Sequence, residues 1–467
     1  MSGPTAPKKS NLDGLTAFQW EVQPEAEKLV HELLSRLVRD FKELENFEKL
    51  LKERTGTRLL DWVERITIKG ARNLKPRLRK AGFNYDEQVG GWKHPGGMFP
   101  IIEQDQIENT IWIKVDSIAD FFAHWNIDDR YLSGKPYSQC RWAVAFKRFE
   151  NLSRKGNCLV WVIERHGYNA RNNTASQPSK NYKSIEMLEL FRWRDRDFLT
   201  DEYGFEHAEE LIKKSIRTLG RDWTCDLFFR AEREYWQIRN KAGQIQKARQ
   251  DSLGLGWANH DHHTYRSSRH CFQHLIKLLE LLGFNCRERF YAGHEAGWGA
   301  QVLEQPVTNI CIFADVDMTP EEVKGDFAHK PFAEKKDLGT VGLWCALHGE
   351  AFLQAGMHHL ECQFDFAELT KQLDPVGVKM MKPFTNFPYL RQAFTEGEIW
   401  PVKEERIQKL LKAKKITAEQ AEKFRKEGAL GSHLENLERN QGFKGFNQTG
   451  ISEIISATDP RKQKSHA

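Results

Sequence analysis

Apolar positions along the chain fall into helical and strand-like rhythms that alternate. Over residues 25–54, Leu29, Leu33, Leu37, Phe41, Leu44 and Leu51 recur at helical spacing with charges between them. This predicts one long amphipathic helix ended by Thr55-Gly56. Beyond it, LLDWVERITIKG (59–70) reads as a strand and ARNLKPRLRKAGF as a short helix closed by Gly82. GGMFPIIEQD, NTIWIKVDSI, CRWAVAF and CLVWVIERHGY read as further strands. Residues 168–182 read as a polar loop and 184–250 mostly as helix.

A second stretch repeats the rhythm. Residues 257–268 read as a strand and RHCFQHLIKLLELLGF as a helix closed by Gly283. NCRERFYAG, WGAQVLEQ and TNICIFADVD read as strands. LRKAGFN (78–84) and LELLGFN (279–285) occupy matching places 201 positions apart, so the two stretches read as structural copies. At that offset Arg65 falls on Arg266 but Asp61 falls on His262, which leaves histidine chemistry to the second copy. A third unit starts at GMHHLECQFDF (356–366). It runs through a helix at FAELTKQL, a strand at GVKMMKPF and strands near YLRQAF and EIWPV. Residues 403–440 read as charged and helical, and 446–461 as the segment that closes the fold.

The expected class is α+β, made of repeated modules with additional helical segments. The expected division is a disordered tail (1–16), a helical segment (17–56), a degenerate α+β module (57–183), a helical connector (184–250), a metal-binding catalytic region (251–461) and a tail (462–467).

Composition narrows the function classes. A 467-residue chain with 40% hydrophobic and 11% aromatic residues can build more than one core. No apolar run approaches the roughly 18 residues of a membrane span. The start, MSGPTAPKKS, has no apolar secretory segment. Eight scattered cysteines form no CxxC pair, which points to reduced thiols in a cytoplasm and away from a zinc ribbon or disulfide framework. The net charge of +5 permits an anionic substrate. The basic stretches KGARNLKPRLRK (69–80) and RWRDRDF, in a chain with 14 Trp, raise nucleic-acid binding as a rival. Against it, 65 acidic residues nearly balance 70 basic ones.

Candidate chemistry concentrates in NHDHHTYRSSRH (259–270), which holds four of the 17 histidines. On a strand, His260, His262, Thr264 and Arg266 share one face, and Asp261, His263 and Tyr265 the other. In HHLECQFD, Leu360, Cys362 and Phe364 form the core face, which leaves His359, Glu361 and Gln363 on the opposite one. Parity therefore selects His359 over His358. A carboxylate from FTEGEIWPV, Glu396 or Glu398, would complete a set of two histidines and one carboxylate. Such a set keeps positions open for substrate and O2 on Fe(II), whereas zinc more often takes a fourth ligand or one water. Arg266 suits a carboxylate clamp because its planar fork binds bidentately. Spacing alone leaves blander readings open. His270 and His274 share a helix face, His294 sits in a loop, and His348 and His358 can be core histidines.

The order of these motifs resembles the 2-oxoadipate dioxygenase/decarboxylase (hydroxyglutarate synthase) family, relatives of the vicinal-oxygen-chelate enzymes. DHHTYR gives Asp261, His262 and Arg266. AGMHHL gives His359 as ligand, with His358 where the family has Asn. EGEIWPVKEERIQKLL gives Glu398, followed by a Trp-Pro that departs from the pattern. The resemblance spans about residues 225–455.

It implies curved sheets of repeated βαβββ modules and an Fe(II) ion, or another divalent metal, held by His262, His359 and Glu398. The substrate implied is a 2-oxo acid, which reacts with O2 to give a shortened hydroxy acid and CO2. Arg266 would anchor a substrate carboxylate. Asp261, His260, His358 and His294 would be candidates to orient the ligating imidazoles. Relatives of this fold run other reactions, so a metal-dependent isomerase, lyase or ring-cleaving dioxygenase stays open. So does a non-catalytic scaffold.

Overall fold

The computed structural model describes residues 20–128, 130, 132–133, 140–148, 158–168, 178–447 and 458–462. The amphipathic stretch at its start is two helices rather than one. Helix α1 (Pro24–Asp40) stops at Phe41, whose backbone is extended (φ −135°, ψ 101°). Helix α2 (Lys42–Leu50) continues into a π turn that ends at Gly56, φ 66°. Leu37, Phe41 and Leu44 all reach the same core.

The next stretch is also divided. It begins with a helical turn, α3 (Leu59–Trp62), in which Asp61 accepts the Arg58 N–H at 2.9 Å, and only then becomes β1 (Val63–Lys69). Next come α4 (Leu74–Lys80), β2 (Asn84–Asp86), β3 (Gly91–Lys93), β4 (Ile101–Asp105) and β5 (Asn109–Lys114). Helix α5 (Ile118–Trp125), β6 (Leu132–Ser133), β7 (Cys140–Arg148) and β8 (Cys158–Arg165) complete this half. The strands form one sheet in the order β2-β3-β4-β1-β5-β8-β7-β6. It divides between β1 and β5 into two βαβββ units. In each, the first and last strands are parallel, and the units meet along an antiparallel β1/β5 pair.

Four helices follow: α6 (Pro178–Arg192), α7 (Asp201–Leu219), α8 (Arg221–Gln237) and α9 (Lys241–Asp251). The predicted helical region is thus present. Of the predicted polar loop, 169–177 lie outside the described residues.

The second half repeats the topology. Strand β9 (His260–Arg266), α10 (Phe272–Leu281), β10 (Asn285–Tyr291), β11 (Trp298–Gln305) and β12 (Ile310–Asp317) make one βαβββ unit. After α11 (Thr340–His348), the other comprises β13 (His359–Gln363), α12 (Phe366–Leu373), β14 (Thr385–Phe387) and β15 (Leu390–Phe394). It continues with β16 (Glu398–Trp400), α13 (Glu404–Lys412), α14 (Ala418–Glu427) and β17 (Ala429–Arg439). The order is β10-β11-β12-β9-β13-β17-β15-β14, with β16 paired to β17 off that path. The class is mixed α/β with curled sheets and packed helices. Gly82 and Gly283 close corresponding helices in the left-handed region, φ 88° and 96°, where a side chain is strained.

Two further predicted elements differ. GVKMMKPF is not a strand; only the isolated bridge between Met380 and Thr395 marks it. Residues 403–440 are helical only as far as Glu427. Gly428 (φ 75°) then breaks the helix, and β17 runs parallel to β13 through the middle of the sheet. Leu430, Leu434 and Leu437 are spaced as on a helix, which disguises this strand. The expected closing segment, 446–461, lies outside the described residues over 448–457.

One face of the second sheet supplies the core. Tyr265, Leu360, Cys362 and Leu434 pack with Phe228 and Phe229 of α8. Each such fully buried side chain contributes roughly 1.5–3 kcal/mol. The opposite face carries buried polar groups instead.

Candidate metal centre

Strand register builds the site. In the antiparallel β9/β13 pair, His262 faces Glu361 and Thr264 faces His359. In the parallel β13/β17 pair, His359 lies beside His433 and Glu361 beside Glu435. The two-residue pleat sends these side chains to one face. His262 Nε2 lies 3.2 Å from Glu361 Oε1. His359 Nδ1 lies 3.4 Å from the same oxygen and 3.9 Å from Glu435 Oε2. His262, Glu361 and Glu435 bring donor atoms within 4.8 Å of one another, and so do His358, His359 and His433. All six are buried.

Neighbours hold these groups in place. His262 Nδ1–H donates to Asp261 Oδ1 at 3.1 Å. Asp261 is gripped by Arg439 through two bonds of 2.9 and 3.0 Å and by Gln363 at 3.0 Å. Such a carboxylate behind an imidazole fixes its tautomer and turns Nε2 toward the site. Thr264 Oγ1 donates to Glu361 at 2.7 Å and Gln392 to Glu435 at 3.1 Å. Phe313 and Phe446 lie against the His262 ring, each 4.8 Å away between ring centres, the first tilted and the second edge-on.

The parity expected at the head of β9 is reversed. The register jumps from Glu361–His262 to Cys362–His260, so Asp261 is an extra residue at a β-bulge. His260 consequently turns away from His262. Its ring lies 5.2 Å from His263, and its Nδ1–H donates to Trp257 O at 3.0 Å. Asp261, expected on the far face, turns toward His262.

The electrostatics draw positive charge to this point, met here by a proton on His262. Burial opposes charge on His262, yet Glu361 and Asp261 raise its pKa to about 10. Burial likewise opposes charge on Asp261, but Arg439 and His262 hold it well below the usual range. Burial and the adjacent Glu361 push Glu435 well above its ordinary value. Glu361 stays charged, near 2, because His262 and His359 outweigh its burial. Two buried carboxylates side by side repel unless a proton or metal neutralises one.

The donor set fits a divalent ion. Imidazole and carboxylate converge in a buried site, and Glu361 Oε2 and His359 Nε2 are buried with no hydrogen-bond partner among the described residues.

Arg266 ends β9 on the same face. It is 2% exposed, and its Nε and Nη1 meet no acceptor among the described residues. Burial lowers its pKa, against the pull of Asp315 and Asp317. Its guanidinium lies 5.6 Å from the Trp344 ring centre.

Other candidates fall elsewhere. Glu398 is not in either donor group; β16 lies at the edge of β17, and Glu398 Oε1 accepts the Lys241 N–H at 2.6 Å. Glu396 is exposed. His294 is exposed in the turn between β10 and β11 and belongs to neither donor group. His270 pairs with Glu202 on the surface, and His348 bonds to Leu430 O at 3.1 Å. His358 does join the site, as one of the three clustered imidazoles. Glu435 and His433 were missed because their strand was read as helix. Glu361 shared the correct face with His359 but was not weighed as a ligand.

No protein-family model matches the chain, and no curated protein matches it. Among solved structures, a putative hydrolase from Shewanella frigidimarina NCIMB 400 is 14% identical, covering 42% of this chain and 87% of that one, TM-score 0.29. A mutant 4-hydroxymandelate synthase from Streptomyces coelicolor is 13% identical over 45% and 57%, TM-score 0.28. Methylmalonyl-CoA epimerase from Mycobacterium tuberculosis is 12% identical over 39% and 89%, TM-score 0.23.

Proposed function

We propose that this protein is a metal-dependent enzyme acting on a carboxylate-bearing small molecule. With Fe(II), its reaction is oxidative decarboxylation of a 2-oxo acid to a shortened hydroxy acid and CO2. His262, His359 and Glu435, with Glu361 beside them, would hold the ion. Bound Fe(II) supplies the redox chemistry that couples O2 to loss of CO2.

The observation that carries the reading is Arg266. A guanidinium 2% exposed, with two nitrogens unpaired, is costly in a folded chain unless an anion completes it. It shares a sheet face with the metal donors, so a carboxylate on Arg266 points the rest of the ligand toward them. Phe313, Phe446, Phe394 and Trp344 line the site with apolar rings, a low-dielectric setting that would strengthen that ion pair.

The test is protein reconstituted anaerobically with Fe(II) and offered a panel of 2-oxo acids. O2 uptake and CO2 release should match one to one and fall sharply in Arg266→Ala. Absence of both across the panel rejects the reading.

A second reading rests on Glu361. Two carboxylates make the donor set richer in oxygen than two histidines and one carboxylate, which suits Mn2+ or Mg2+ in an isomerase or lyase. Turnover under strict anaerobiosis selects it.

A further inference from the structure

Three imidazoles, His358, His359 and His433, form a cluster that the carboxylate-bearing group does not use up. Their ring centres are 3.9, 5.3 and 5.5 Å apart. Two of the tautomers are set by the backbone. His358 Nδ1–H donates to Gly431 O at 2.8 Å, and His433 Nδ1–H to Thr395 O at 2.9 Å. In neutral rings that leaves a lone pair on each Nε2.

His358 is 0% and His433 1% exposed, and neither Nε2 meets a donor among the described residues. His359 Nε2 is likewise without one, while its Nδ1 faces Glu361 and Glu435. Trp344 and Phe394 wall the cluster at 5.1 and 4.7 Å. Buried lone pairs brought within 4.8 Å of one another repel, and a cation relieves that repulsion. A backbone-anchored Nδ1–H with a free Nε2 is how ligating histidines are held.

We propose that His358, His359 and His433 form a second cation position, adjacent to the carboxylate-bearing one; when both are filled, the His359 ring bridges them as an imidazolate, its remaining ring proton released to solvent. Its all-nitrogen donor set selects an imidazole-preferring metal, Zn2+ or Cu2+, over Mg2+ or Mn2+. Three protein ligands leave one position free for water or substrate. The position does not depend on the 2-oxo acid reading.

Full-length protein stripped with chelator and loaded with Zn2+ should hold two zinc ions per chain by elemental analysis. His433→Ala and His358→Gln should each hold one. Glu435→Gln should keep the imidazole-bound ion, and its Cu(II) form should show nitrogen hyperfine structure that is lost when His433→Ala is added. Circular dichroism identifies a variant that fails to fold, and His358→Gln then decides.

Equal zinc number and affinity in wild type, His433→Ala and His358→Gln would overturn the proposal. A single ion lost in His433→Ala but kept in Glu435→Gln would support it and reject the carboxylate-bearing position instead.

Discussion

His262 and Glu361 face each other across the antiparallel β9/β13 pair, with Nε2 and Oε1 3.2 Å apart. Glu435 adds a second carboxylate from β17, the neighbour of β13 on its other side. Three strands from distant parts of the chain thus meet at one buried point. The charges there balance only around a proton or a cation.

Metal content follows these positions. In protein reconstituted anaerobically with Fe(II), His262→Ala and Glu435→Gln should each lose more than about tenfold in iron affinity, while Glu398→Ala keeps it. Equal loss in Glu398→Ala would return the carboxylate role to Glu398.

Asp261→Asn should act through its neighbours. The imidazole of His262 loses its anionic partner, and metal affinity should fall about 10–100-fold in a calorimetric titration. Arg439 keeps bonds to Phe443 O and Gly445 O but loses its buried counter-charge. The metal-free variant should therefore be less stable by on the order of 3 kcal/mol in urea unfolding. An unchanged unfolding midpoint refutes the role given to the Asp261–Arg439 pair.

Arg266→Ala should separate ligand binding from metal binding. A 2-oxo acid should bind about 2–5 kcal/mol more weakly, with the metal content unchanged. Arg266→Lys should restore only part, because a point charge cannot replace the planar fork. Loss of metal in both variants would show Arg266 to be a structural support instead.

His166, which belongs to neither donor group, gives a separate pH signature. Burial disfavours its charge, but Asp226 at 3.0 Å and Glu164 at 3.4 Å raise its pKa to about 9. A raised folded pKa stabilises fully below the unfolded value, near 6.5, and that stabilisation is lost as pH rises through about 9. The stability gap between wild type and His166→Gln should be on the order of 3 kcal/mol at pH 6 and close to nothing at pH 10. A gap that does not shrink with pH contradicts the ion pairs.

Much of the fold was legible because it is local. Apolar periodicity marked most strands and helices, and the glycine-closed helices at Gly82 and Gly283 revealed the repeat. Where local signals misled, a named feature explains it. Leu430, Leu434 and Leu437 mimic a helical stripe, although Gly428 and Gly431 nearby argue for a break. The bulge at Asp261 inverted the expected faces of His260 and Asp261, because an extra residue shifts the two-residue alternation.

From the residues alone, His262 and Arg266 could be placed together on one strand face and His359 opposite the core face of its own strand, since side-chain alternation is a property of each strand. Their partners could not. Which carboxylate meets His262, and that His433 joins His358 and His359, depends on β17 lying parallel to β13 at one particular register. That register is held by hydrogen bonds between segments some seventy residues apart, and no local pattern encodes it.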